Sequence, residues 1–250
     1  ALLDRRGKAL ANFCQRYRIS RGSRVLELDI ELEPLVVLGA DPWNSYICSR
    51  LAWADESALL WRAANLLRER AEAKRFEAPN YIEIDEGKRS VTLLTGGLPF
   101  HRRANFRMLD SLLIVRGESA RHFQLGLGID LQDPLAASLA QLAPLPAISM
   151  SAPPVEGPET SWLFHVGSRS VTATSWSPLL EENVVVGFRV RLLETAGVAT
   201  RTRLRSCHHL VGADVCDFTG NTTKPCSIVQ GDGLIELKAN QCVEIAARWR

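Results

Sequence analysis

The sequence predicts an all-β fold, and three observations carry that expectation. In residues 24–32, Leu26, Leu28, Ile30 and Leu32 alternate with Glu27, Asp29 and Glu31, the period of a strand with one wet face. Further short apolar runs at 81–85, 90–95, 111–116 and 122–129 are each bounded by Gly, Pro, Asn or charged residues. No alternation of strand and helix patterns suggests a parallel sheet, so the sheets should be antiparallel.

Taken in order along the chain, residues 55–73 are the first conflict. The segment is rich in Ala, Leu, Arg and Glu; Leu59, Leu60, Ala63, Leu66, Leu67 and Arg70 follow helical spacing, and Asp55 can cap it. Propensity favours a helix there, while tertiary context can hold such a segment extended. Residues 142–158 are rich in Pro and Ala and should run extended over the surface as a boundary. Strands are expected at 161–166 and 170–175 around Gly167-Ser168-Arg169. A new set follows at 184–194, 201–207, 228–229, 234–237 and 242–248, with Gly231-Asp232-Gly233 as a hairpin signal. Short strands at that spacing indicate a small β-sandwich. The division expected is residues 1–180 as a large sandwich and 181–250 as a smaller one.

Composition narrows the function classes. Of 250 residues, 46% are hydrophobic and 23% charged, which is ordinary for a globular protein and argues against disorder. A net charge of +2, with basic residues mostly scattered, gives no reason to expect nucleic acid. No apolar run approaches the ~18 residues that span a bilayer, so no membrane is expected as a partner. The chain opens Ala-Leu-Leu-Asp-Arg-Arg without an initiator methionine or a signal-peptide pattern, which reads as a fragment of a longer protein. Six cysteines at 14, 48, 207, 216, 226 and 242 show no Cys-x-x-Cys spacing. Free thiols are expected, and with them a soluble protein of the cytoplasm rather than an exported one.

The densest chemistry lies between Gly96 and Asp110. His101, Arg102, Arg103 and Arg107, with Asn105 and Asp110, sit on what reads as a loop between two strands, shaped by Gly96, Gly97 and Pro99. A guanidinium presents five fixed donors and can bridge two sugar hydroxyls or anchor a carboxylate. The bland alternative is a solvated turn. Trp43 and Tyr46 lie near a turn and can stack on a sugar ring or plug an interface. Cys207, His208, His209 and Cys216 match no zinc spacing; adjacent histidines on a strand would point to opposite faces, one buried and one exposed. No Gly-x-Ser-x-Gly elbow or phosphate-binding glycine loop occurs, and no carboxylate pair is marked out for glycosidase work. On these residues alone the chain is a β-rich binding or structural module.

Three stretches together resemble the C-terminal, non-catalytic part of glycoside hydrolase family 38, the α-mannosidases. The first is Thr92-Leu-Leu-Thr, Gly96-Gly97, His101-Arg-Arg, Arg107 and then Arg116-Gly-Glu. The second is Gly187-Phe-Arg-Val-Arg-Leu-Leu-Glu-Thr-Ala-Gly, and the third is Ala213-Asp-Val-Cys-Asp-Phe-Thr-Gly. The resemblance implies a large galactose-mutarotase-like antiparallel β-sandwich followed by a small one, with 55–73 extended. It implies a retaining hydrolase whose barrel, zinc and nucleophile belong to an N-terminal catalytic domain of the same polypeptide, so that this chain carries no metal or cofactor and is inactive alone. It also implies that an arginine here reaches a glycan in the catalytic cleft: Arg107, with Arg103 as the alternative. Two further readings stay open, an independent carbohydrate-binding module and an interaction scaffold without sugar contact.

Overall fold

The computed structural model describes residues 1–143, 149 and 161–249. The chain forms two compact units, Ala1–Pro146 and Ala147–Arg250. Apart from 142, 143 and 149, the Pro-rich segment 142–158 lies outside the described residues.

The first unit runs β1 (Leu2–Leu3), β2 (Ala9–Ile19), β3 (Val25–Pro34), β4 (Ile47–Ala52), β5 (Leu59–Ala64), β6 (Leu67–Arg70), β7 (Arg75–Glu77), β8 (Tyr81–Asp85), β9 (Ser90–Leu94), β10 (Phe100–Asn105), β11 (Met108–Ile114), β12 (His122–Ile129) and α1 (Pro134–Leu142). One sheet has the order β1-β2-β3-β12-β9-β8-β5-β6, the other β4-β11-β10-β7, and the pairings are antiparallel. The alternation read in β3 has its expected effect. Leu28, Ile30 and Leu32 enter the core with Ile82, Leu93, Phe123 and Leu125 of the same sheet, against Ile47, Phe76, Leu109, Leu113 and Ile114 of the other. Glu27 and Glu31 stay exposed on the far face.

Residues 55–73 are extended, not helical. β5 and β6 form a hairpin whose turn, Asn65-Leu66, has φ of 52° and 69°. Two successive left-handed residues match the twist of a two-residue hairpin and cannot continue a helix. Burial decides the outcome: Leu60 and Ala63 sit on alternate sides of β5 and each finds a core, which helical geometry would not allow. A helix does form at α1, where no helix was expected. Asp133 caps it by accepting from the Ala136 amide at 2.9 Å, Pro134 occupies its first turn, and Leu135 packs on Ala63, Tyr81 and Leu94 outside the large sheet.

The second unit runs β13 (Phe164–Val166), β14 (Val171–Glu181), β15 (Val184–Glu194), β16 (Thr200–Ser206), β17 (Leu210–Cys216), β18 (Thr222–Pro225), β19 (Ser227–Val229), β20 (Asp232–Leu237) and β21 (Cys242–Trp249). Its sheets, β13-β16-β20-β19 and β14-β15-β21-β17-β18, enclose Phe188, Val190, Leu192, Leu204, Ile235, Val243 and Ile245. The expected boundary at 180/181 is corrected here. It falls inside the β14–β15 hairpin, whose register runs from Val171↔Glu194 to Glu181↔Val184, and no domain divides within such a ladder.

Two of the resembling stretches are explained by packing in this unit. A Cβ on Gly187 would lie 2.0 Å from the Ala247 carbonyl oxygen, so only glycine fits where β15 meets β21. Glu194, without accessible surface, accepts backbone N–H bonds from Ala196, Gly197, Val198 and Asn240 at 2.9–3.1 Å. In the third stretch Asp217 accepts from Thr219 and Asn221, and those hydrogen bonds hold its pKa down at about 2.

Candidate functional site

The segment read as a loop is a β-hairpin. Gly96 and Gly97 turn the chain at φ of 58° and 87°, and a Cβ on Gly96 would fall 1.9 Å from the Gln124 carbonyl oxygen. Phe100 to Asn105 then pair with β11 on one side and β7 on the other. At the tip, Asn105 Oδ1 accepts from the Arg107 amide at 2.8 Å, an Asx turn that leaves Phe106 and Arg107 exposed.

Register then sets a row of charges across the small sheet. Arg75 lies opposite Arg102, Arg102 opposite Asp110, and Asp110 opposite Arg50. Asp110 is fully buried. Arg50 grips it with two bonds, Nε to Oδ1 at 2.5 Å and Nη2 to Oδ2 at 2.8 Å, and Tyr46 Oη donates to Oδ2 at 2.6 Å. Burial works to raise the Asp110 pKa; the hydrogen bonds from Arg50 and Tyr46 and the Arg50 charge outweigh it and hold the carboxyl below its usual range. Arg102 donates to the Trp43 carbonyl at 2.8 Å and to Tyr46 Oη at 3.2 Å. The Trp43 ring meets Phe100 edge-on, centroids 6.0 Å apart, and the Arg75 guanidinium lies 5.4 Å from its centroid. Burial and the Asp110 carboxylate raise the Tyr46 phenol, and they push the neighbouring Cys48 thiol up to about 12.

The structure therefore brings together the two aromatics and the arginine cluster, which are separate in the sequence, but it uses most of them internally. His101 is corrected from a ligand contact to a structural residue. It has no exposed surface, Nδ1 meets Ser111 Oγ at 3.0 Å, Nε2 meets the Leu98 carbonyl at 2.9 Å, and the ring stacks on Phe76. A neutral ring with its proton on Nε2 satisfies both bonds, and burial lowers the pKa to about 4. Arg102 and Tyr46 are likewise committed to the Asp110 network, and Trp43 is half-buried against Phe100. Arg103 donates to the Phe106 carbonyl at 3.2 Å and closes the tip.

Among His101, Arg102, Arg103, Arg107, Trp43 and Tyr46, Arg107 alone is exposed. Its Nη1 lies 3.3 Å from the Ala54 carbonyl, and its Nε lies 3.4 Å from Glu56 in an ion pair with side chains 50% and 69% exposed. Such pairs are worth roughly 1 kcal/mol or less, so a ligand displaces them cheaply.

Arg50 was missed by sequence reasoning. Its role depends on β4 pairing with β11 sixty residues away, and nothing local marks it. On this face His101 is enclosed and both Asp110 oxygens are engaged, so neither group is free to exchange a proton with a ligand. Elsewhere, His208 and His209 are both exposed in a turn rather than split between core and solvent on a strand. Among the described residues no three His, Cys, Asp or Glu side chains converge as metal ligands, all six cysteines are free thiols, and no helix is long and apolar enough to cross a membrane.

No family model matches this chain, and no curated protein matches it in sequence. Solved structures do match in fold. An α-mannosidase from Enterococcus faecalis V583 superposes with a TM-score of 0.67 at 10% identity, covering 95% of this chain and 29% of that protein. An Enterococcus faecalis protein of glycosyl hydrolase family 38 gives 0.57 at 11% identity, covering 91% and 28%. The chain thus has the fold of part of these enzymes and spans under a third of their length.

Proposed function

We propose that this chain, folded like part of an α-mannosidase, is the C-terminal β-sandwich region of a glycoside hydrolase of that type. The observation that carries the reading is the fold likeness across both units. A separate catalytic domain of the same polypeptide performs the chemistry and holds the zinc. No ligand set for zinc exists among the described residues here, so none of its chemistry is routed through this chain.

The β10–β11 hairpin lines one wall of the sugar cleft. Its base is stiffened by Asp110, Arg50, Tyr46 and Arg102, and its tip offers Arg107, with Arg103 behind it. Arg107 donates hydrogen bonds to the bound glycan and acts as neither acid nor base. Binding energy of this kind raises kcat only where the contact tightens in the transition state.

The test is hydrolysis of an aryl α-mannoside by the longer polypeptide and its Arg107→Ala variant. Loss of one such donor should lower kcat/KM by about tenfold or more, and up to roughly 100-fold if the contact forms mainly in the transition state. Unchanged kcat/KM would remove Arg107 from the cleft. Calorimetry of the 250-residue chain with mannose oligosaccharides should show no submillimolar binding; tight binding by this chain alone would favour a self-sufficient carbohydrate-binding module instead.

A further inference from the structure

The tip of the β10–β11 hairpin carries a second exposed group beside Arg107. Phe106 is 73% exposed and belongs to neither core cluster of the first unit. A lone apolar side chain in water carries no argument by itself, but three further observations converge on this one. The turn beneath it is fixed. The Arg107 amide donates to Asn105 Oδ1 at 2.8 Å, Arg103 Nη2 donates to the Phe106 carbonyl at 3.2 Å, and the Trp53 amide donates to the Arg107 carbonyl at 3.1 Å. A ring with few side-chain torsions on such a turn loses little freedom when it binds.

The ring is also alone. No other large apolar side chain is exposed in residues 52–57 and 103–108, the segments that meet at the tip. A surface that docks another domain gathers several apolar groups around its centre. Here a single ring is surrounded by Asn105, Arg107, Glu56 and the Ala54 carbonyl, the last two already in contact with Arg107. One apolar disc with a hydrogen-bonding border is the complement of a pyranose, which has C–H bonds on one face and hydroxyls around its rim.

We infer that the Phe106 ring stacks on the C–H face of a hexopyranose while Arg107 takes hydroxyls at its rim. The inference rests on the reading that this tip lines the sugar cleft, and it names the residue that recognises the ring of the glycan as Arg107 recognises its hydroxyls. The test uses the longer polypeptide and an α-linked mannose disaccharide, so that both halves of the substrate are pyranoses. Phe106→Ala should lower kcat/KM about three- to tenfold, mostly by raising KM, because the stack is in place before the transition state as well as in it. Phe106→Tyr should keep the wild-type value. Phe106→Leu, apolar but without a flat face, should resemble Phe106→Ala. The melting temperature should stay at the wild-type value in all three variants, since none loses a contact with protein. A melting temperature that falls in Phe106→Ala, or a Leu variant as active as the Tyr variant, would overturn the inference, because the ring would then pack on protein. Unchanged kcat/KM in Phe106→Ala with a loss in Arg107→Ala would also overturn it, while leaving the tip in the cleft. If neither substitution lowers kcat/KM, the cleft reading itself fails and takes this inference with it.

Discussion

His101 gives the first unit a built-in sensitivity to acid. The unfolded ring titrates near its ordinary value of about 6.5, whereas the buried ring resists protonation until about 4. Between these values the unfolded chain binds a proton that the folded one refuses, so stability falls as pH drops through that window and levels off below it. The full loss is about 3 kcal/mol, an upper figure for a ring that keeps its geometry. Urea unfolding of the wild type and of His101→Gln at several pH values checks this. The variant should be less stable at pH 7, and its stability should vary less between pH 6.5 and 4. Asp110 responds to acid in the same direction for a different reason: Arg50 and Tyr46 favour its charged form. Its depressed pKa contributes stability that is fully present above the ordinary carboxylate value and is lost as pH falls from there through its own lower one.

At the scale of the element, Glu194 anchors two turns of the second unit. Replacing it with Ala strips the acceptor from four backbone amides, at a cost on the order of 3 kcal/mol. Hydrogen exchange should report it as faster exchange at Ala196, Gly197, Val198 and Asn240, with little change at β16. Strands such as β3 were legible in the sequence because one face meets core and the other carries exposed carboxylates, so the period of two is clean. β10 was not, because its core-facing residue at mid-strand is a histidine and its outward one an arginine. A strand polar on both faces looks like a loop until its neighbours are known. β5 and β6 were ambiguous for another reason: their Ala, Leu, Arg and Glu are good helix formers, and only the partner strand β8 resolves the competition. The short helix α1 carried its own signal in Asp133-Pro134, but nine residues give too little periodicity to stand out. The candidate site followed the same rule. Arg107 was singled out only by the family resemblance, not by its spacing, while Arg50, Tyr46 and Asp110 became a network only through pairings across distant strands.

At the scale of the whole molecule, the two units carry separate cores. Residues 147–250 expressed alone should therefore fold, with a β-type circular dichroism spectrum and a single cooperative urea transition. A fragment starting at 181 should not, because it lacks the β14 half of a ladder that buries Val171 and Leu179. The carboxylate at the end of β15 has a kinetic consequence as well. Its donors come from the turn just after β15 and from Asn240, just before β21. The Asn240 bond forms only once β15 and β21, distant in sequence, lie side by side. Glu194 thus latches the start of β21 to the turn after β15, and the division of its loss between the folding and unfolding rates measures how late in folding that latch closes.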